Sequence, residues 1–350
     1  MSAPPLVVRC GAFGDMVMVT TMLRLLHARY GVPVDLVASG DWTPPLLSGE
    51  PALGHLQMLS SRTTPYPLCP SQWRLVRWLH SRGRGPVYLC DTDDKIAALL
   101  RRAGVHEDDI VHRLPTDDEV DGTTRLWPDR WVSMGQRDPA RESGPRYPVD
   151  PLEYRLPKLV VTAQAREDLA QLAEERGLRG PVVLFQPGNK RTHKRGAIAT
   201  RQHPKFWDPR HWAALAHEVH AALPAVDIVL CGSPMEHAVL EEIRMAAGGH
   251  ARLHNLSREL PVPRLLSLIE GAHSMVSVDT GPAHAAAALG CPLVVLFGNA
   301  SPNKWRPLGP GTILALGGER GDDSRVSDIQ PDAVIGAWKS LLPAHQVRGS

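Results

Sequence analysis

Ser274-Met275-Val276-Ser277-Val278-Asp279-Thr280-Gly281-Pro282-Ala283-His284 carries the pattern that decides the fold. Ser274–Val278 is a short apolar run closed by turn residues, which reads as a buried strand. Asp279-Thr280-Gly281 supplies the turn, and Pro282 opens a helix where a missing N–H costs nothing. That helix is predicted over Pro282–Leu289, and a second apolar run, Leu293–Phe297, follows as another strand. Strand, helix and strand joined by short turns form the repeating unit of a parallel sheet with helices on its faces.

The same alternation extends in both directions. Upstream lie strand Val182–Gln186, helix Pro209–Ala222, strand Asp227–Cys231, helix Met235–Ala246, a short strand near Leu253 and helix Val262–Gly271. In the first half, strand Leu6–Arg9 leads to helix Asp15–Tyr30 and strand Val34–Val37. A helix around Gln72–His80, strand Val87–Cys90 and helix Lys95–Arg102 come next. Residues 114–158 show no sustained period and are expected to be loop-rich. A chain of 350 residues holds about two domains. The expected division is α/β throughout: residues 1–165 and 166–330 as two Rossmann-like, doubly wound domains, then an amphipathic helix beginning at Pro331 within 331–350. Ligands of such sheets collect at the carboxyl ends of the strands, so the loops there are where function is sought.

Composition narrows the class. Hydrophobic residues are 43% and charged ones 22%, which excludes a disordered chain. Lys and Arg number 39 against 37 Asp and Glu, so no bulk positive field recruits nucleic acid or anionic membrane. The five cysteines show no CxxC spacing, and Cys10, Cys90, Cys231 and Cys291 sit in or beside apolar runs. They read as buried core residues of a protein in a reducing cytoplasm. No secretory leader or membrane-spanning run is evident.

Four loops carry candidate chemistry. In Cys10-Gly11-Ala12-Phe13-Gly14-Asp15, Asp15 stands at a helix start and reads either as a cap or as a general base projecting from the strand end. The spacing lacks the second glycine of a dinucleotide fingerprint. Asp279-Thr280-Gly281-Pro282 joins a hydroxyl, a glycine and a helix start, a combination suited to a phosphate or diphosphate. Between Gly188 and Trp207 lies a basic loop with Lys190, Arg191, Lys194, Arg195, Arg201 and Lys205. A charge run is usually a solvated surface, but Lys205 directly precedes Phe206-Trp207 and is the one anchored to a helix start. Glu236, after Cys231-Gly232-Ser233, either favours a helix start or accepts ribose hydroxyls. Asp91-Thr92-Asp93-Asp94 reads as capping rather than a metal-diphosphate motif, and His217 with His220 lacks a third ligand.

Together these segments resemble the heptosyltransferase family of lipopolysaccharide core assembly. The resemblance rests on Val7-Val8-Arg9 through Gly14-Asp15 and Thr20-Thr21, and on Lys205-Phe206-Trp207 leading to His211-Trp212-Ala213-Ala214-Leu215. It continues in Cys231-Gly232-Ser233 with Glu236, Ser277 to His284, and Leu296-Phe297-Gly298 with Trp305 and Pro307. It implies a GT-B fold whose two domains face a central cleft. The implied reaction is inverting, metal-independent and cofactor-free, moving heptose from ADP-heptose to a lipid-linked Kdo or inner-core sugar. Asp15 would act as base and Lys205 at the leaving diphosphate. Gly14, Thr200, Ser233, Glu236, Asp279, Thr280, Gly281, Pro282 and His284 would bind the donor, and domain closure would exclude water. The loop before Lys205 is longer and more basic than the family pattern, which leaves Lys190 or Lys194 as substitutes for Lys205. The terminal helix would return to brace the first domain. A lipid-linked acceptor implies a protein peripheral to the inner membrane. Its surface contact would be transient, because no strongly hydrophobic amphipathic anchor stands out. A related GT-B transferase with another nucleotide sugar, or a silent sugar-nucleotide sensor, are the competing expectations.

Overall fold

The computed structural model describes residues 3–91, 93–112, 126–141, 144, 146–188 and 201–342. The chain divides into two units, Met1–Val160 and Val161–Ser350. The break precedes the expected position at 165, because Thr162 caps helix Ala163–Arg176 by accepting from the Ala165 amide at 3.2 Å. That helix packs on Val262–Glu270, and Arg264 pairs bidentately with Asp168 at 2.7 Å. Both contacts lie within the second unit.

In the first unit five strands are described: β1 (Leu6–Val8), β2 (Val34–Ala38), β3 (Leu53–Met58), β4 (Val87–Leu89) and β5 (Ile110–His112). They are parallel throughout, in the order β3-β2-β1-β4-β5. Leu6, Val8, Val37, Leu75, Leu89, Ile96 and Leu99 form one apolar cluster of this unit. The second unit holds β6 (Val182–Gln186), β7 (Asp227–Leu230), β8 (Leu253–Asn255), β9 (Ser274–Val278), β10 (Leu293–Phe297) and β11 (Ile313–Gly317). These are also parallel, in the order β11-β10-β9-β6-β7-β8. The order reverses between β6 and β9, the switch point at which open parallel sheets bind ligands.

The expected strands and helices are present within a few residues. The stretch expected to be loop contains a helix, Trp127–Gly135, packed against the long helix Phe13–Tyr30. At nine residues it is too short for its apolar positions to establish a period. Strands β3, β5 and β11 and the helix Ala163–Arg176 were likewise not expected. Free cysteines at positions 10, 69, 90, 231 and 291 are all buried. Burial pushes Cys10, Cys90 and Cys291 up to about 12, so these thiols stay protonated and inert.

The described part of the terminal segment packs within the second unit. Helix Pro331–Lys339 packs on Pro209–Ala222 and on β10, inside the second unit. Val334, Trp338 and Leu342 join the core cluster that includes Phe185, Trp212 and Val276. The Trp338 indole donates to the Ser274 hydroxyl at 3.0 Å, so the helix spends its apolar face on the second sheet. Among the described residues no helix is long and apolar enough to cross a membrane.

Gly309 lets the chain pass close to the end of helix Gly281–Ala288. A Cβ there would lie 1.6 Å from the Ala287 carbonyl oxygen, and backbone on both sides leaves little room to give. Gly309→Ala is expected to cost about 1–3 kcal/mol and lower the thermal midpoint by several degrees. An unchanged midpoint in calorimetry would show that this contact is slack.

Candidate active site

At the carboxyl end of β1 the chain turns through Gly11 into helix Phe13–Tyr30, with Ala12 as its N-cap. Ala12 has no side-chain acceptor, and Asp15 supplies one from the third helical position. Asp15 Oδ2 accepts the Ala12 amide at 2.7 Å, the backward arm of a capping box. Its other oxygen, Oδ1, accepts from the Arg9 guanidinium at 2.7 Å. Gly11 is required for this fold-back, because a Cβ there would sit 2.4 Å from Asp15 Cβ. Asp15 is therefore both a capping residue and a fixed carboxylate, with its side chain 13% exposed. Gly14 is buried in the first turn beside it.

Arg9 is the residue that sequence reasoning passed over. It donates to the Cys90 carbonyl at 3.2 Å and lies 5.5 Å from the Trp131 ring and 5.9 Å from Trp127. Burial alone would lower its pKa, but Asp15 leaves it raised, so its charge is secure. The available signal was a cation directly after the apolar Leu6-Val7-Val8. Asp91, at the end of the neighbouring β4, accepts the Cys10 amide at 2.9 Å and faces Arg62 at 3.3 Å. Asp93 caps helix Asp94–Arg102 through the Lys95 amide at 3.0 Å. Capping describes Asp93, whereas Asp91 ties the two loops together.

In the second unit, β9 ends at Val278 and helix Gly281–Ala288 begins with Thr280 as its N-cap. The Thr280 side chain does not cap the helix; its hydroxyl lies 3.2 Å from that of Ser277. Lys205 crosses to this turn, donating to both the carbonyl oxygen and Oδ2 of Asp279 at 2.7 Å. Their side chains are 21% and 10% exposed, so the pair is shielded without being sealed. An ammonium has three N–H groups, and Asp279 engages two sites with them. Gly281 and Pro282 form the first turn, and His284 is buried one turn further on. Beyond β7, Glu236 Oε2 accepts from both the amide and the hydroxyl of Ser233 at 2.7 Å. The two residues form a closed capping box around the turn Pro234–Glu236. Thr200, Lys190 and Lys194 lie outside the described residues.

Of the two histidines one turn apart, His217 is exposed and His220 half-buried. His220 stacks on His250 at 4.0 Å between ring centroids. Burial, followed by repulsion from His250, holds His220 down at about 4. Among the described residues no cluster of His, Cys, Asp or Glu is arranged to hold a metal ion.

Two doubly wound parallel units in one chain, with polar residues gathered at the strand ends of each, have the GT-B fold seen in solved heptosyltransferases. The pattern of glycosyltransferase family 9 (heptosyltransferase) matches residues 149–327, more than half of the chain, and the chain belongs to that family. It is similar to lipopolysaccharide heptosyltransferase 2 of Salmonella typhimurium, 26% identical over 359 residues, covering 94% of this chain and 95% of the relative. The fold is similar to that of E. coli ADP-heptose lps heptosyltransferase II, with a TM-score of 0.74 at 23% identity, covering 97% and 98% of the two chains. An E. coli heptosyltransferase solved with ADP gives 0.68 at 19% identity, covering 97% and 99%.

Lys205→Met would leave the Asp279 carboxylate shielded and uncompensated, at an expected cost of about 1–3 kcal/mol. Adding Asp279→Asn should recover part of that loss, since removing both partners leaves no stranded charge. Denaturant titration of the two single variants and the double variant measures the coupling. Strict additivity would contradict the pairing.

Proposed function

We propose that the chain transfers heptose from ADP-heptose to a Kdo or neighbouring inner-core sugar of lipopolysaccharide, with inversion and without a metal. The lipopolysaccharide assignment is supported by the curated relative, and the donor by the ADP-heptose enzyme and the ADP-bound neighbour. The observation that carries the reading is Lys205 held against the start of helix Gly281–Ala288, where Thr280 leaves the first amides without a side-chain cap.

In this mechanism the acceptor hydroxyl donates to Asp15. As its oxygen forms the bond to the anomeric carbon, the proton passes to the carboxylate. The bond from that carbon to the diphosphate oxygen breaks on the opposite face, and ADP leaves with the electron pair. Arg9 and the Ala12 amide each take one lone pair of Asp15, which leaves an acceptor site on each oxygen for the substrate. They also fix the carboxylate, so little reorganisation is needed at the moment of transfer.

The charge developing on ADP meets Lys205 and the positive end of the helix, with Thr280, Gly281 and Thr200 as hydrogen-bond donors. Fixed donors of this kind supply the stabilisation that a divalent cation provides in other transferases. Glu236, oriented by Ser233, takes the ribose hydroxyls. Asp279 and His284 position the donor, with Gly14 and Pro282 shaping the backbone around it. The lipid-linked acceptor places the protein in the cytoplasm, in transient contact with the inner membrane.

Asp15→Asn keeps an oxygen for the Ala12 amide and removes the base. It should bind ADP nearly as tightly as the wild type and transfer heptose at least ~100-fold more slowly. Full transfer in that variant would take Asp15 out of the mechanism. Transfer should also persist in excess EDTA, and a rate restored only by manganese would contradict the lysine-based account.

A further inference from the structure

Residues 51–90 contain five arginines and no Asp or Glu, although the whole chain is nearly balanced in charge. Its middle part forms the turn Tyr66–Leu68 and the helix Pro70–Ser81. The helix buries Ser71, Gln72, Leu75 and Leu79 on one side. Its other side presents Trp73, Arg74, Arg77 and His80 to solvent, at spacings that share a face.

Two large apolar groups stand at the start of that face. Leu68 is 72% exposed and Trp73 42% exposed. The Trp73 indole N–H donates to the Tyr66 carbonyl at 2.6 Å, which fixes its polar edge against the turn. Arg102, from the neighbouring helix Asp94–Arg102, lies 4.1 Å over the Tyr66 ring and belongs to the same surface. Among the described residues, Arg74, Arg77 and Arg102 form no ion pair.

From this arrangement we propose that the outer face of Leu68–Arg77, with Arg102, docks the first unit on a bilayer surface carrying anionic headgroups. An apolar tip flanked by solvent-facing arginines complements a flat surface with an anionic layer above hydrocarbon. Tryptophan with a satisfied N–H suits the boundary between the two. The surface is also continuous with the candidate site. Arg62, in the loop between β3 and the turn Tyr66–Leu68, faces Asp91 at 3.3 Å, and Asp91 holds the Cys10 amide of the Asp15 loop at 2.9 Å. The inference deepens the proposed reading of a lipid-linked acceptor, which would reach these loops without leaving the bilayer.

Cosedimentation of the full chain with phosphatidylethanolamine vesicles containing phosphatidylglycerol tests the docking directly. Wild-type protein should bind these vesicles, release as salt rises, and ignore neutral phosphatidylcholine vesicles. The surface variant Arg74→Glu/Arg77→Glu should weaken partitioning by at least ~20-fold, from about a fivefold contribution per arginine. Leu68→Ala/Trp73→Ala should weaken it as well, with the loss persisting at low salt. Both variants should transfer heptose to a deacylated, soluble acceptor at the wild-type rate, which shows that they fold and that the patch acts only on lipid. Wild-type protein that stays in the supernatant, or variants that bind as it does, would overturn the docking surface. Binding only to vesicles that contain added membrane protein would also overturn it, by assigning the face to a protein partner. Absence of transfer to every soluble acceptor would instead count against the enzymatic reading, with the vesicle result still deciding the docking.

Discussion

A parallel sheet delivers the carboxyl end of every strand, and the amino end of every following helix, to one edge. That constraint organises both units. Each edge gathers backbone amides with unspent hydrogen-bonding capacity and a partial positive charge, so polar side chains there are either caps or ligands for something else. In the second unit the edge opens at the reversal between β6 and β9, where Lys205 and Asp279 meet.

The two units use the same kind of ion pair in opposite senses. In the first, the carboxylate of Asp15 is the group proposed to react, and Arg9 holds it in place. In the second, the ammonium of Lys205 is the proposed reactive partner, and Asp279 holds it. Each pair is mostly shielded, which strengthens its electrostatics, and neither is closed to a substrate atom. Helix Trp127–Gly135 belongs to this design as well, because its tryptophans lie beside Arg9. Arg74, Arg77 and Arg102 carry a charge of another kind, facing solvent beside exposed apolar groups.

Most of this organisation is legible in sequence because buried parallel strands are nearly pure apolar runs, as in Leu293-Val294-Val295-Leu296-Phe297. The strand ends followed directly, and with them Asp15, Glu236 and the Asp279–His284 turn. What escaped is of two kinds. Short elements such as Trp127–Gly135 and the half-exposed β3 lack the length or the hydrophobic contrast to announce themselves. Partnerships escaped too, since Lys205 and Asp279 are 74 positions apart and Cys10 and Asp91 are 81 apart. Periodicity reports which face a residue takes and carries no information about its long-range partner. The terminal helix shows the same limit: its amphipathic pattern is legible, and the sheet that receives its apolar face is not.

The central claim is that the second unit binds the diphosphate of an adenine nucleotide with lysine and helix dipole in place of a metal. Thermal stabilisation by ADP, UDP, GDP and CDP, each with and without EDTA, tests it most directly. At a hundred times its dissociation constant a nucleotide adds about 2.7 kcal/mol, enough to move the midpoint by a few degrees. The account predicts a shift selective for ADP and unchanged by EDTA. A shift that EDTA abolishes, or no shift with any nucleotide, would contradict it.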